Sequence, residues 1–309
     1  MVKCVYLLIL LGLASSCNAQ PSRSSSEKAL PVPSFDIPAV PDTLTGPEQE
    51  EEYLAIHYWD RFDFTDTAYL YHPEVTERIV ADYLRLLQCA SPQTAVASLR
   101  VMMKQAETEK RMFAYFAELY EKYLYEPASP FSNEEWLIPV LEVVTHSSVP
   151  DETDKIRPTY LLEQIRKNRP GTSATDFAFT GADGKTGTLY RTDAGYILLF
   201  FYNPDCHTCQ ETAQEMAAST FLQEKVATGQ VKVLAVYPEN DPEVWQNHRQ
   251  AFPTSWTNAY DESGRLQEEE LYDFRVFPTL YLLDETKKVL LKEADFQQII
   301  DYLHSKQLK

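Results

Sequence analysis

Tyr196–Cys209, with the sequence YILLFFYNPDCHTC, is the stretch that decides the fold. Its first half is a nearly continuous apolar run, which is typical of a strand buried on both faces of a sheet. Its second half contains two cysteines separated by two residues, and a helical stripe that begins at Ala213 follows. A strand that leads through such a motif into a helix places Cys206 at the helix N-terminus. Free N–H groups and the helix dipole stabilise a thiolate there.

This arrangement predicts thiol-disulfide exchange. Cys206 would attack a disulfide, and Cys209, one helical turn deeper, would attack the resulting mixed disulfide and release the substrate. A c-type haem site would need a histidine where the chain has Gln210. A zinc site would need a second pair of ligands, which Cys89 and the scattered histidines do not provide. A structural disulfide without exchange chemistry remains an alternative, because export favours oxidised cysteine pairs.

The sequence after this motif continues the pattern of strands and helices. Residues 231–237 predict a second buried strand, and residues 241–250 predict a helix. Residues 271–284 end a helix, pass Pro278 and enter a third strand. A hairpin partner at 288–291 and a last helix at about 294–304 complete the domain.

Residues 170–309 therefore resemble a thioredoxin-fold domain of the envelope thiol-disulfide oxidoreductases related to TlpA and ResA. The resemblance implies an α/β domain with a central mixed sheet flanked by helices. It also implies that Cys206 is the nucleophile and Cys209 the resolving cysteine. The bond before Pro278 is expected to be cis, with Phe277 docking an extended substrate chain by strand addition.

Two residues beside Cys206 differ from the usual pattern of that family. Asp205 replaces an aromatic residue, and His207 is the first residue of the dipeptide between the cysteines. The Asp205 carboxylate should raise the pKa of Cys206, whereas a protonated His207 should lower it. Because these effects oppose each other, the sequence leaves open whether the protein is a reductase, an oxidant or an isomerase.

Residues 48–169 predict an all-α domain from the helical spacing of their apolar residues. Pro139 should kink or restart one of its helices. The segment 57–64 places a histidine, an arginine and two carboxylates among aromatics, and it is interpreted as packing anchors rather than a site. Cys89 is predicted to be a buried small hydrophobe. The whole chain is similar to bacterial envelope lipoproteins that join a helical domain to a thioredoxin domain, a likeness that implies no function for the helical domain.

The N-terminus predicts export. Residues 1–16 have the layout of a signal peptide, with Lys3 before a short apolar run. Residues 13–17 resemble a bacterial lipobox, which would make Cys17 the lipidated first residue, although cleavage before Gln20 also fits. Residues 17–47 contain several Pro and Ser residues and are interpreted as a tether. The predicted location is the periplasmic side of a bacterial cell envelope, with lipid anchoring at Cys17.

Composition limits the classes of partner. The chain of 309 residues has a formal net charge of −18, which disfavours nucleic acid. The chemistry needs no organic cofactor and no metal. The expected partners are envelope proteins that carry disulfides or dithiols and a redox partner that recycles the pair, with membrane contact only through the lipid anchor. The alternatives are a peroxiredoxin-like peroxidase, which would want Thr or Ser at Asn203, and a surface binding module with an inert disulfide.

Overall fold

The computed structural model describes residues 31–248, 250 and 252–306. The predicted signal peptide and Cys17 lie outside these residues. A helical domain is followed by an α/β domain built on one mixed sheet, as the sequence predicts. The helices of the first domain are α1 (Pro47–His57), α2 (Pro73–Leu87), α3 (Pro92–Ala106), α4 (Lys110–Tyr125), α5 (Glu134–His146) and α6 (Ile156–Ile165), with a 3-10 helix at Thr67–Tyr71.

Capping residues define several of these helices. Ser91 Oγ accepts the backbone N–H of Thr94 before α3, and Asn133 Oδ1 accepts that of Trp136 before α5. Such caps satisfy N–H groups that have no partner within the helix. The aromatic segment at 57–64 packs into the core of this domain, where Trp59 is 3% exposed and contacts the rings of Phe62 and Phe116. Its interpretation as a set of packing anchors is confirmed.

Helix α5 runs from Glu134 to His146 without a break at Pro139, so this buried proline does not restart the helix, and the kink stays a prediction. The expectation for Cys89 is wrong. Cys89 is exposed rather than buried, because it follows the last residue of α2, and its thiol donates to the Arg85 carbonyl oxygen at 3.8 Å. The apolar face of α2 ends at Leu87, before this cysteine is reached.

Seven strands form the sheet of the second domain within the described residues. They are β1 (Ala178–Gly181), β2 (Thr186–Thr188), β3 (Tyr196–Phe201), β4 (Val231–Tyr237), β5 (Thr257–Tyr260), β6 (Thr279–Asp284) and β7 (Val289–Lys292). Their order is β2-β1-β5-β4-β3-β6-β7. The pairs β3–β4 and β4–β5 are parallel, and the other neighbours are antiparallel. The helices are α7 (His207–Ala218), α8 (Thr220–Ala227), α9 (Pro242–His248), α10 (Arg265–Glu268) and α11 (Phe296–Ser305).

Strand β3 separates the two apolar cores of this domain. Leu198 and Phe200 pack on the side of α7 and α11, whereas Leu199 and Phe201 pack on the other side. Alternate side chains of a strand point to opposite faces, so a strand with two covered faces must be apolar throughout. The apolar run of 196–202 is thereby explained, and its end carries the Cys-x-x-Cys motif out of the sheet.

The two domains meet directly at the segment that joins them. Asn168 is buried in a left-handed conformation with a φ of 51°, which asparagine adopts more readily than most residues. Its Nδ2 donates to the Leu271 carbonyl oxygen at 2.8 Å, and its Oδ1 accepts the Thr175 N–H at 2.7 Å. Through these two hydrogen bonds, the Asn168 side chain joins the end of the helical domain to the α/β domain.

In the part of the chain that the structure describes, no helix is long and apolar enough to cross a membrane.

Candidate active site

The turn after β3 places Cys206 immediately before the first residue of α7. Asn203 Oδ1 accepts the backbone N–H of Asp205 at 2.9 Å, and the Asn203 carbonyl oxygen accepts that of Cys206 at 3.1 Å. An asparagine side chain that bonds the backbone two residues ahead is a common way to close a tight turn. Cys206 consequently becomes the N-cap of α7.

The Cys206 sulfur performs the capping role usually taken by an oxygen. Its Sγ accepts the backbone N–H of Cys209 at 3.1 Å. This hydrogen bond and the positive end of the helix dipole both stabilise negative charge on the sulfur. The side chain is only half-buried, so a reagent in solution can reach it. The geometry therefore suits a sulfur that attacks as a thiolate.

Cys209 lies in a different environment, one turn into α7. Its side chain is 2% exposed and belongs to the core between α7 and the sheet. Burial, together with the hydrogen bond to the Cys206 sulfur, raises the pKa of Cys209 to about 12. Cys209 is accordingly a neutral thiol near pH 7. Cys89, Cys206 and Cys209 are all free thiols in the described chain.

A cavity of about 220 Å³ adjoins Cys209. Gln210, Gln214 and His248 supply polar groups to its wall, and Phe252 closes part of it. The Nδ1 of His248 lies 2.9 Å from the Val244 carbonyl oxygen, which fixes the direction of the ring. The volume is several times that of one water molecule, about 30 Å³. The cavity is therefore large enough to hold water beside Cys209.

The segment before β6 faces Cys206. The Phe277–Pro278 peptide bond is cis, as the family resemblance implies. The Cys206 thiol donates to the Phe277 carbonyl oxygen at 3.6 Å. Phe277 itself stacks on Phe274 at 5.7 Å between ring centroids, and Val276 is exposed beside it. The structure thus brings four of the residues singled out from the sequence, Cys206, Cys209, Phe277 and Pro278, to one place.

Asp205 and His207 flank Cys206 but point into solvent. Asp205 is exposed, and the His207 side chain is 82% exposed. His207 Nδ1 lies 3.3 Å from a carboxylate oxygen of Glu211, one turn along α7. Nothing in the sequence analysis anticipated Glu211, although the four-residue spacing on a helix that starts at His207 predicts the pair. Its charge partly offsets that of a protonated His207.

A buried ionic cluster lies behind the segment before Pro278. The Arg275 guanidinium forms ion pairs with Glu134, Asp273 and Glu293. Ligand oxygens of these three carboxylates lie within 4.8 Å of one another, a spacing that could hold a metal ion. Arg275 pairs with all three carboxylates, Lys292 pairs with Glu134, and burial raises the pKa of Glu293, so the chain itself offsets most of this negative charge.

Two family models match the chain. Residues 14–168 match the domain of unknown function DUF5106, and residues 170–291 match the AhpC/TSA family. The first match covers just over half of the 309 residues. The chain belongs to the DUF5106 family. No curated protein matches it.

Solved structures extend this relation to both domains. A thioredoxin-like protein from Bacteroides caccae is 41% identical, with a TM-score of 0.86, over 89% of this chain and 99% of its own. The C-terminal domain of an uncharacterized protein from Bacteroides fragilis is 44% identical over 44% of this chain and 98% of its own, with a TM-score of 0.44. A thioredoxin domain of a thiol-disulfide oxidoreductase from Bacteroides vulgatus is 17% identical over 45% of this chain and 97% of its own, with a TM-score of 0.39.

The DUF5106 region reaches the candidate site through the ionic cluster. Glu134 opens α5 of this region, whereas Arg275 lies two residues before Phe277. Sequence reasoning missed both residues, and no local pattern could have found them, because 141 positions separate the partners. The signal that the sequence offers is the pair of charged residues Asp273 and Arg275 among the apolar and aromatic residues that lead to the third predicted strand.

Proposed function

We propose that this protein is a thiol-disulfide oxidoreductase that exchanges disulfides with other proteins through Cys206 and Cys209. The observation that carries the proposal is the asymmetry of the pair. Cys206 is accessible and its sulfur accepts a helix N-terminal N–H, whereas Cys209 is buried directly behind it with a raised pKa. This is the arrangement that a two-step exchange requires.

In the reductive direction the thiolate of Cys206 attacks one sulfur of a substrate disulfide. A mixed disulfide forms, and the other substrate sulfur leaves as a thiolate that takes up a proton. Cys209 then loses its proton and attacks the Cys206 sulfur, which releases the second substrate thiolate. Two electrons pass from the cysteine pair to the substrate, and the pair ends as a disulfide. A dithiol donor of the cell must restore it, and the oxidative direction runs the same steps in reverse.

The substrate chain would dock on the segment that contains Phe277 and Pro278. This segment faces Cys206 and leaves Val276 exposed beside it. An extended substrate polypeptide would add to it as a strand, placing its disulfide against the Cys206 sulfur. Asp205 and His207 would adjust the reactivity of that sulfur. Specific membership of the TlpA and ResA branch is part of this proposal.

Trapping of mixed disulfides tests the proposal. A Cys209→Ser variant cannot complete the second step, so disulfide-linked partners should accumulate on Cys206 in cells and release on reduction. Cys206→Ser and the double variant are the matched controls and should trap nothing. The proposal is wrong if Cys209→Ser traps no partner while its Cys206 still reacts with iodoacetamide.

The alternative function for a protein of this fold is that of a peroxidase, and the match to the AhpC/TSA family is the reason to test it. Asn203 occupies the position where that chemistry would want a hydroxyl, and its Oδ1 is already bonded to the Asp205 N–H. We therefore expect the reduced protein to consume hydrogen peroxide no faster than Cys206→Ser does. Rapid consumption that depends on Cys206 would favour the peroxidase.

We further propose that the chain is exported and anchored by a lipid on Cys17, so that its substrates are proteins of the bacterial envelope. The support is the signal-like sequence of residues 1–16 and the bacterial source of the similar solved structures. In the native host, Cys17→Ser should move the protein from the membrane fraction to the soluble fraction. An unchanged distribution would contradict the anchor and leave the exchange chemistry untouched.

A further inference from the structure

Arg275 connects the helical domain to the segment that faces Cys206. Its Nη2 donates to Glu134 Oε1 at 2.5 Å and to Glu293 Oε2 at 2.7 Å. Its Nη1 donates to the Tyr125 carbonyl oxygen at 3.2 Å, and its guanidinium lies 3.8 Å from the centre of the Tyr125 ring. Glu134 and Tyr125 belong to the helical domain, so one side chain of the α/β domain is held by two residues of the other domain.

The planar guanidinium suits this role because it has five donors in a fixed geometry and stacks on aromatic rings. The side chain is 17% exposed, and Glu134 is 14% exposed. Asp273 completes the surroundings, since its Oδ1 accepts the Arg275 backbone N–H at 2.9 Å and its Oδ2 accepts the Tyr125 hydroxyl at 3.4 Å. Both the side chain and the backbone of Arg275 are therefore fixed.

The backbone that Arg275 fixes leads directly to Cys206. Two residues later the Phe277 carbonyl oxygen accepts the Cys206 thiol at 3.6 Å. Between them, the Val276 carbonyl oxygen accepts the Thr279 hydroxyl at 2.6 Å. Because Arg275 and Phe277 are only two residues apart, a displacement of Arg275 should also displace the Phe277 carbonyl oxygen.

We propose that Arg275 is a positioning residue through which the helical domain holds residues 275–278 in the place where they dock a substrate chain and face the Cys206 sulfur. This gives the DUF5106 domain a role in the exchange reaction, as the support of the docking segment. The part about docking rests on the proposed function, whereas the part about the Cys206 sulfur does not.

Glu134→Gln tests this role with little change in shape. Its matched control is Glu135→Gln, the next residue of α5, which breaks the ion pair with Arg169 and leaves Arg275 untouched. Because Glu134 also pairs with Lys292, the second variant is Tyr125→Leu, which removes the ring beneath the guanidinium and leaves that pair intact. The full chain is used throughout, and circular dichroism checks that each variant is folded.

Two readouts separate positioning from a merely structural role. The first is the reduction of insulin disulfides, resolved into kcat and KM. We expect Glu134→Gln and Tyr125→Leu to raise KM about tenfold, since small displacements of positioning groups are costly, and to leave kcat within about twofold. Glu135→Gln should match the wild type in both constants.

The second readout is the pH dependence of Cys206 alkylation by iodoacetamide, which needs no docking. The Phe277 carbonyl oxygen accepts a proton from the thiol and has none to give to a thiolate. Loosening the segment should therefore move the midpoint of the alkylation profile to lower pH by about 0.5 unit, the worth of one modest hydrogen bond. Arg275→Lys should recover part of the shift seen in Arg275→Ala.

The proposal is overturned if folded Glu134→Gln and Tyr125→Leu proteins match the wild type in both readouts, or if Glu135→Gln changes them equally. Failure of the wild type to reduce insulin removes the first readout and leaves the proposed function to the trapping of mixed disulfides by Cys209→Ser. In that case the alkylation profile alone decides, and an unshifted midpoint in both variants overturns the positioning role.

Discussion

At the scale of single residues, Cys206 and Cys209 lie only three positions apart but in different environments. Cys206 caps a helix and is accessible, whereas burial, with the hydrogen bond to Cys206, raises the pKa of Cys209 to about 12. A raised pKa of an acid means that the protonated form dominates below that value. The second step of exchange needs the Cys209 thiolate, so its rate depends on a small deprotonated fraction near neutral pH.

This difference predicts a steep pH dependence of the second step. The thiolate fraction of Cys209 grows about tenfold per pH unit while the pH stays well below 12. Release of glutathione from a Cys206–glutathione mixed disulfide should therefore accelerate about tenfold per unit between about pH 7 and 9. Stopped-flow fluorescence can follow it, with Cys209→Ser as the control that shows no release. A rate that levels off below pH 8 would contradict the prediction.

The neighbouring His207 should have only a small influence on the redox equilibrium. Its side chain is 82% exposed and lies beside Glu211, and exposed charge pairs contribute about 1 kcal/mol or less. For a two-electron couple this corresponds to about 20 mV. We expect His207→Ala to change the reduction potential of the pair, measured in glutathione buffers, by no more than that. A shift of about 60 mV or more would show that His207 tunes the pair strongly.

At the scale of elements, a buried polar network fixes the strand next to the candidate site. Asn258 of β5 accepts the Tyr202 hydroxyl at 2.9 Å and the Trp245 Nε1–H at 3.1 Å through its Oδ1. Tyr202 follows β3, and Trp245 belongs to α9. One side chain thus joins β5 and α9 to Tyr202, which lies between β3 and Cys206.

Asn258→Leu should lower the free energy of unfolding by about 3 kcal/mol, because it leaves two buried donors without this acceptor. Tyr202→Phe is the matched control, since it removes one donor and leaves the Trp245 hydrogen bond in place. It should cost about 1 kcal/mol. Urea unfolding followed by circular dichroism measures both. Equal losses in the two variants would show that Trp245 does not depend on Asn258.

The elements that the sequence predicted are those with long apolar patterns. Strands β3 and β4 were located because they are buried over nearly their whole length, and α7 because its buried residues, Cys209, Ala213 and Met216, recur at helical spacing. Strands β1, β2 and β5 were not located: they have only four, three and four residues, and unlike the equally short β7 none was recognised as the hairpin partner of a longer predicted strand. The Asp183-Gly184 turn, with Gly184 at a φ of 76°, is the signal that could have identified the β1–β2 hairpin.

At the scale of the whole molecule, the sequence predicted two domains but not how they contact each other. Contacts such as Glu134 with Arg275, or Asn168 with Leu271, join residues 141 and 103 positions apart. Spacing within a helix or strand reveals which face is buried, but it does not reveal the partner of an isolated charged side chain. The location of Cys206 and Cys209 was predictable because the two cysteines, the strand before them and the helix after them are neighbours in the sequence. The contacts that support the docking segment were not predictable, because they join residues that are far apart in the sequence.

Lys292 offers a test of how firmly the two domains are joined. Its side chain is 5% exposed, and its Nζ lies 2.7 Å from Glu134 Oε2. The ammonium also donates to the Lys167 carbonyl oxygen at 3.1 Å, just after α6. A strand of the α/β domain therefore supplies a cation to the C-terminal end of a helix in the other domain, where carbonyl groups lack partners.

Lys292→Met keeps the aliphatic stem and removes these interactions. Breaking a buried ion pair commonly costs about 3 kcal/mol, because the remaining charge loses its partner without regaining water. We expect the free energy of unfolding to fall by about that amount. In calorimetry, the single thermal transition should broaden or split into two, because each domain loses support from the other. Lys185→Met, which breaks the exposed pair with Asp183 in the β1–β2 turn, should leave the transition unchanged. If both variants unfold like the wild type, the Lys292 contacts contribute nothing to the cooperation between the domains, which must then depend on their other contacts, such as the pair of Arg275 with Glu134.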